Sequence, residues 1–192
     1  MKMLTISELN SLNFQDFIAK TGNVVEHCPI VAGVLWKQRP FQSFEDLNDK
    51  IKEIVQSMPQ PLKEGSLLAV EFYFSHFSQH CVSGILRSYP DLAGKLAIEG
   101  KLTGESLHEH SQADLDKLTD EEEAMMARLN SQYKEKFGFP FVVCARMNKK
   151  DAIIEGLKAR SNHHVETEVQ IGIGEVMKIC ELRLKDIVKS QL

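Results

Sequence analysis

Apolar residues recur at helical spacing through most of this chain. A first amphipathic run opens at Ser7 and carries Leu9, Leu12, Phe14, Phe17 and Ile18. Pro29 to Trp36 is almost wholly apolar and suits a buried helix with proline in its first turn. Arg39-Pro40-Phe41 interrupts the pattern. Ser43-Phe44-Glu45-Asp46 then resembles a capping box, with Phe44, Leu47, Ile51, Ile54, Val55 and Met58 as a stripe behind it. Met58-Pro59-Gln60-Pro61 ends that helix, so residues 1–60 read as helical. Further on, Thr103 to Gln112 is polar and reads as helical from about Ser106. Thr119-Asp120-Glu121-Glu122 is a capping box that starts a helix bearing Met125, Leu129 and Tyr133. Asn148 is placed to cap a helix with Ile153, Ile154 and Leu157. After a polar break from Arg160 to His164, Val165 to Val188 forms a last long helix. It tolerates Gly172 and Gly174, each costing roughly 1 kcal/mol of helix propensity.

Two stretches depart from this rhythm. Ser66 to Ser83 holds four aromatics and a single charge, and reads as an extra buried helix, a strand-like excursion or an exposed loop. Its His76, His80 and Cys81 admit a metal reading, because i and i+4 share a helix face, but no further ligand stands at a recognised spacing. The other stretch is Phe137-Gly138-Phe139-Pro140-Phe141-Val142-Val143-Cys144-Ala145. Gly138 suits a left-handed helix stop, and Pro140 holds Phe139 extended. The apolar residues after Pro140 read as buried, extended backbone whose N–H and C=O groups need partners, either other protein groups or a small polar ligand.

The last helix adds one more clue. At 100° per residue, Val169, Val176, Cys180 and Ile187 fall within about 40° of one another, and Arg183 lies in the middle of that set. An arginine there needs an anionic or carbonyl partner. A structural ion pair with a core acid would satisfy it. So would an anionic ligand, since arginine recognises a carboxylate with two parallel bonds.

Composition narrows the function. A chain of 192 residues, 43% apolar and 26% charged, has enough material for one domain with a sizeable core. Its net charge of −4 gives no nucleic-acid footprint. Cys28, Cys81, Cys144 and Cys180 are scattered without a C-x-x-C pair, which speaks against a disulfide framework or zinc knuckle and for a reducing compartment. No signal-peptide pattern opens the chain, and no apolar run reaches membrane-spanning length. Phosphate-binding loops, a dinucleotide fingerprint, a nucleophile elbow and H-E-x-x-H are all missing, as is βα alternation. The expectation is an all-α, single multi-helix domain that needs no nucleotide, flavin or metal. The final Ser190-Gln191-Leu192 is one residue from the Ser-Lys-Leu peroxisomal address.

Pro90-Asp91-Leu92-Ala93-Gly94, then Glu105-Ser106 with Glu109, then Phe137 to Ala145, then Ile179-Cys180-Glu181-Leu182-Arg183-Leu184 occur in that order, with Cys28-Pro29 and Trp36 to Phe41 upstream. Together they resemble 2-oxo-4-hydroxy-4-carboxy-5-ureidoimidazoline (OHCU) decarboxylase, an enzyme of urate breakdown. The resemblance covers nearly all of 1–192 except about 66–83, which looks inserted, and leaves a short tail at 189–192. It implies an all-helical homodimer, without cofactor, that converts OHCU into (S)-allantoin by loss of carbon dioxide and protonation on one face. It also implies a peroxisomal location through an import receptor, and no nucleic-acid or membrane partner. The implied catalytic residues are Glu109, Arg183 and Tyr89, the last standing where the family has its proton-donating histidine. The implied substrate contacts are Pro90, Ser106, Leu107, His108, Glu109, His110 and the backbone of Phe141, Val142, Val143, Cys144 and Ala145. A phenol can donate a proton, but with an ordinary pKa near ~10 it is a poor base at neutrality. The change at Tyr89 and the aromatic insertion leave open a second reading, a relative of weakened or lost activity that binds a ligand or partner.

Overall fold

In a computed structural model the described residues are 3–57, 84–94 and 100–189. They form eight α-helices and two short 3-10 turns, with no strand among them. By mutual contacts the chain divides into two compact units, one running to Ser88 and resuming at Met177, the other comprising Tyr89–Val176.

The first unit contains α1 (Ile6–Ser11), α2 (Phe14–Thr21), α3 (Pro29–Trp36), α4 (Phe44–Ser57), a 3-10 turn (Ile85–Ser88) and the C-terminal part of α8 (Val165–Ile187). The opening amphipathic run is two helices, not one that opens at Ser7. Thr5 caps α1 in a reciprocal box with Glu8, and Asn13 caps a fresh start at Phe14 by accepting from the Asp16 amide. Two caps four residues either side of Leu9 outweigh the continuous apolar stripe, because each supplies acceptors that a helix start otherwise lacks. α3 packs between α2 and α4, and Leu9, Phe17, Leu35, Leu47, Ile51, Val55 and Leu86 are buried there. Ser43 accepts from the Asp46 amide at 3.2 Å, as its position before α4 predicts. Between α3 and α4 the Arg39–Pro40 peptide is cis. The Arg39 guanidinium lies over the Trp36 ring and donates to the carbonyls of Asn10 and Leu12, while the Asn10 amide brackets the backbone of Phe41 from both sides. A cleft of about 440 Å³ lies here, lined by Asn10, Phe41, Glu45 and Lys189 among others. The chain ends are tied together by Leu4, whose N–H donates to Ile187 and whose C=O accepts from Lys189, both at 2.8 Å.

The second unit contains α5 (Gly104–Gln112), α6 (Asp120–Phe137), a 3-10 turn (Ala145–Met147), α7 (Lys150–Arg160) and the first turns of α8. α5 begins two residues before Ser106 because Thr103 caps it, accepting from the Ser106 amide. The Thr119–Glu122 capping box starts α6 as expected, and Glu122 also holds Lys150 at the start of α7. The deepest stripe of α6 is Met126, Asn130, Tyr133 and Phe137, displaced by one position from the expected Met125 and Leu129, which sit half-buried at its margin. Hydrophobicity alone misplaced that stripe because it passes over Asn130, a polar residue that is 4% exposed. Asn148 does not cap α7. Its side chain turns back to the Cys144 carbonyl at 2.9 Å, and Lys149 takes the cap position without a side-chain bond.

Gly138 closes α6 at φ 77°, with its N–H on the Lys134 carbonyl. Any other residue enters this left-handed region only at a cost in energy. Phe139 to Cys144 then run as irregular backbone, and the rings of Phe137, Phe139 and Phe141 gather about Tyr133 with centroids 4.5 Å, 6.2 Å and 5.3 Å away. Gly138→Ala is expected to cost about 1 kcal/mol. Urea unfolding checks this, with a lowered midpoint and an unchanged slope as the predicted result.

Candidate active site

Two of the groups singled out in the sequence meet in the second unit. The buried face of α5 carries Ser106, Glu109 and His110, spaced i, i+3, i+4, and the helix packs against the Ala145–Met147 turn. Leu107 and His108 fall on the other side: Leu107 is 57% exposed, and the His108 ring meets the Gln112 amide at 3.0 Å. Of the five α5 residues expected at the substrate, the fold gathers three side chains and leaves two toward solvent.

The wall facing this helix is Phe141 to Ala145. Phe141, Val142, Cys144 and Ala145 are buried and Val143 is half-buried. Its backbone is held from two directions. Arg160 donates through Nη1 to the Val142 carbonyl at 2.8 Å and lies over the Phe141 ring. The Cys144 amide donates to Glu175 Oε2 at 2.8 Å. The Cys144 carbonyl accepts from the Met147 amide and from Asn148. Among the described residues the amides of Val143 and Ala145 meet no protein acceptor.

Arg160 is itself fixed by Glu168, which has no solvent exposure. Glu168 accepts from Arg160 Nε at 2.7 Å, from the Tyr133 hydroxyl and from His163 Nδ1 at 2.9 Å, and its charge also pairs with a second guanidinium nitrogen of Arg160. Burial and the neighbouring Glu168 push the Tyr133 phenol well above its ordinary value, so it stays a donor. Burial, then the charge of Glu175, with a smaller part from Glu109, push the Cys144 thiol up to about 11. A thiol so placed is inert as a nucleophile at neutral pH, and the effect of Glu109 on it puts that carboxylate within electrostatic reach of the wall.

Tyr89 is buried, and with Pro90 it leads into a turn that ends at Gly94. A Cβ on Gly94 would meet the Asp91 Cβ at 2.6 Å, so this position requires glycine. α6 anchors the turn: Asn130 Nδ2 donates to the Leu92 carbonyl at 2.9 Å, and Lys134 pairs with Asp91 at 3.0 Å. Arg183 belongs to the first unit. It is 3% exposed, and its Nη1 meets Glu26 Oε2 at 2.6 Å and the Asn23 carbonyl at 2.8 Å. Of the two partners the sequence allowed, a core acid is therefore present.

The candidate ligands His76, His80 and Cys81 lie outside the described residues, as does the rest of 66–83 and the tail 190–192. Among the described residues no three His, Cys, Asp or Glu side chains are grouped to hold a metal ion.

A family model described as OHCU decarboxylase matches residues 10–185. The 2-oxo-4-hydroxy-4-carboxy-5-ureidoimidazoline decarboxylase of Amia calva is 42% identical over 97% of this chain and 95% of its own length. The protein of that name from Xenopus laevis is 38% identical over 98% and 97%. The chain belongs to the OHCU decarboxylase family. Two solved structures share its fold. An OHCU decarboxylase crystallised in the presence of (S)-allantoin superposes with a TM-score of 0.62 at 19% identity, over 86% of this chain and 94% of that one. An (S)-allantoin synthase gives 0.68 at 22% identity over 96% of this chain, which spans about half (54%) of that longer chain.

In this family member, sequence reading missed the residues behind the wall: Arg160, Glu168 and Glu175, and in the first unit Glu26. A signal existed for two of them. Glu168 and Glu175 are seven apart on α8, so they share a face directly beside the apolar stripe of Val169 and Val176. Acids repeated along the edge of a buried stripe need donors, and Arg160 and the Cys144 amide are those donors.

The raised Cys144 and Tyr133 values give a signed pH prediction. Below the thiol's unfolded value both states are protonated and stability is unaffected. As pH rises above about 9, the unfolded chain ionises while the folded one resists, so stability falls until the folded thiol titrates near 11. Urea midpoints between pH 8 and 11 should decline, and Cys144→Ala should make the decline shallower. A slope equal to wild type would contradict this prediction.

Proposed function

We propose that this chain catalyses decarboxylation of OHCU to (S)-allantoin in urate degradation, without a cofactor, through Glu109 on α5 and the backbone wall Phe141 to Ala145. The observation that carries the reading is the pair of wall amides, Val143 and Ala145, that meet no protein acceptor among the described residues, close to a helix face bearing Ser106, Glu109 and His110. Loss of carbon dioxide leaves an electron pair on the ring carbon, delocalised into the adjacent carbonyl. Preorganised N–H donors lower the energy of that developing charge and do not stabilise the ground state to the same degree. Glu109 holds the hydroxyl and ureido groups as an acceptor. Tyr89, at the position of the family's histidine, delivers the proton to one face and so sets the product's handedness. The resemblance also assigns Arg183 a catalytic role, and within the first unit its guanidinium is held by Glu26. Pro90, next to Tyr89, shapes the substrate's edge there. Leu107 and His108, turned to solvent, take no side-chain part in this mechanism.

No observation favours the second reading, a ligand-binding relative without turnover. Homodimeric assembly and import into peroxisomes through Ser190-Gln191-Leu192 complete the proposal on the strength of the resemblance. Sedimentation of the purified chain and the cellular location of a fusion with and without those three residues check them.

Freshly generated OHCU should give (S)-allantoin, followed by circular dichroism, faster with enzyme than without. No acceleration at high enzyme concentration overturns the proposal. Tyr89→Phe, which removes only the hydroxyl, is expected to lower kcat by roughly 10²-fold or more. An unchanged kcat would remove Tyr89 from the mechanism while leaving the rest standing.

A further inference from the structure

The wall's alternating backbone carries information that its side chains do not. In extended backbone the N–H and C=O of one residue point to the same side, and those of the next residue to the opposite side. Up to the 3-10 turn that starts at Ala145, residues 142 and 144 therefore face one way and residue 143 the other. The observed bonds obey that alternation. The Val142 carbonyl is taken by Arg160 at 2.8 Å and the Cys144 amide by Glu175 at 2.8 Å, both on one side, while the Val143 amide on the other side meets no protein acceptor among the described residues. Both partners come from the next two helices along the chain, α7 and α8.

Glu175 is a costly choice for this bond. It is a half-buried carboxylate set against a buried thiol that it makes harder to ionise. What the bond requires is an acceptor oxygen at the end of a side chain long enough to reach the Cys144 amide. Gly174, one residue earlier, has open space where a Cβ would lie, so crowding of the helix at this turn does not dictate the acid's position.

We propose that Glu175 is a positioning residue for the decarboxylation: by accepting from the Cys144 amide it fixes the wall's rotation and turns the Val143 amide toward the substrate. Glu175 acts through the backbone and does not touch the reacting atoms. The inference rests on the functional reading above and deepens it. A wall rotated by a fraction of its alternation would aim that donor away from the oxygen that gains charge, and a misplacement of about 1 Å can cost roughly 10²-fold in rate.

Reach and charge can be separated without emptying the site. Glu175→Asp keeps the charge but is one methylene shorter and cannot meet the amide. Glu175→Gln keeps the length and an acceptor oxygen but loses the charge. Steady-state kinetics on OHCU, with thermal melts to confirm folding, should show E175D reduced roughly 10²-fold in kcat with KM changed little, and E175Q within about threefold of wild type. Unimpaired E175D in an active enzyme overturns the inference alone. E175Q impaired as much as E175D also overturns it, because the role would then be charge. A wild-type chain without turnover overturns the functional reading and this inference with it.

Discussion

A carboxylate shut away from water must be met by donors on every side, and the second unit is built around one. Glu168 has no solvent exposure and is met by Arg160, Tyr133 and His163. Removing one member of such a group leaves a buried charge unsatisfied and costs about 3–5 kcal/mol, whereas the intact group contributes little net stability beyond what an apolar substitute would give. Its effect is therefore on geometry more than on stability. Arg160 is planar and forked, so fixing one edge on Glu168 fixes the other edge on the Val142 carbonyl and its face on Phe141. Tyr133, donating to the same carboxylate, is also the hub of the aromatic cluster under the wall. One buried acid thus orders the end of α6, the irregular backbone after Gly138 and the junction of α7 with α8.

The consequence for chemistry is indirect but specific. Irregular backbone has no ladder to set which way its amides point, so side chains must set it. Arg160 and Glu175 take one side of residues 142–144, and the Val143 amide on the other side meets no acceptor among the described residues. α6 has a parallel task at its middle, where Asn130 and Lys134 hold the turn that begins at Tyr89 and Pro90. Tyr89 and the amide wall are therefore both referred to one helix. In the first unit the Arg183–Glu26 pair shows the same device, a buried guanidinium oriented by a buried acid.

The helices were legible in the sequence because caps and apolar spacing are local. Pro29 to Trp36, the box at Thr119 and the left-handed Gly138 all stand where their residue types require. The division of the first run at Asn13 was missed because a stripe through Leu9, Phe14 and Phe17 continues across a break that only the caps reveal. Burial of Arg183 was implied by its place on the stripe, while its partner, Glu26, lies far off in sequence and could not be chosen from spacing. The wall was visible as buried backbone needing partners. Which carbonyl goes to Arg160 and which amide to Glu175 depends on the turn between α7 and α8, and no local pattern encodes that.

The claim that an ion pair orients the wall is tested most directly by hydrogen exchange in Arg160→Lys, which keeps the charge but loses the fork that reaches Glu168 and Val142 together. The predicted result is faster exchange confined to peptides covering 139–147, with α5 and the middle of α6 protected as in wild type. Unchanged exchange at 139–147, or an equal rise throughout the chain, would contradict it.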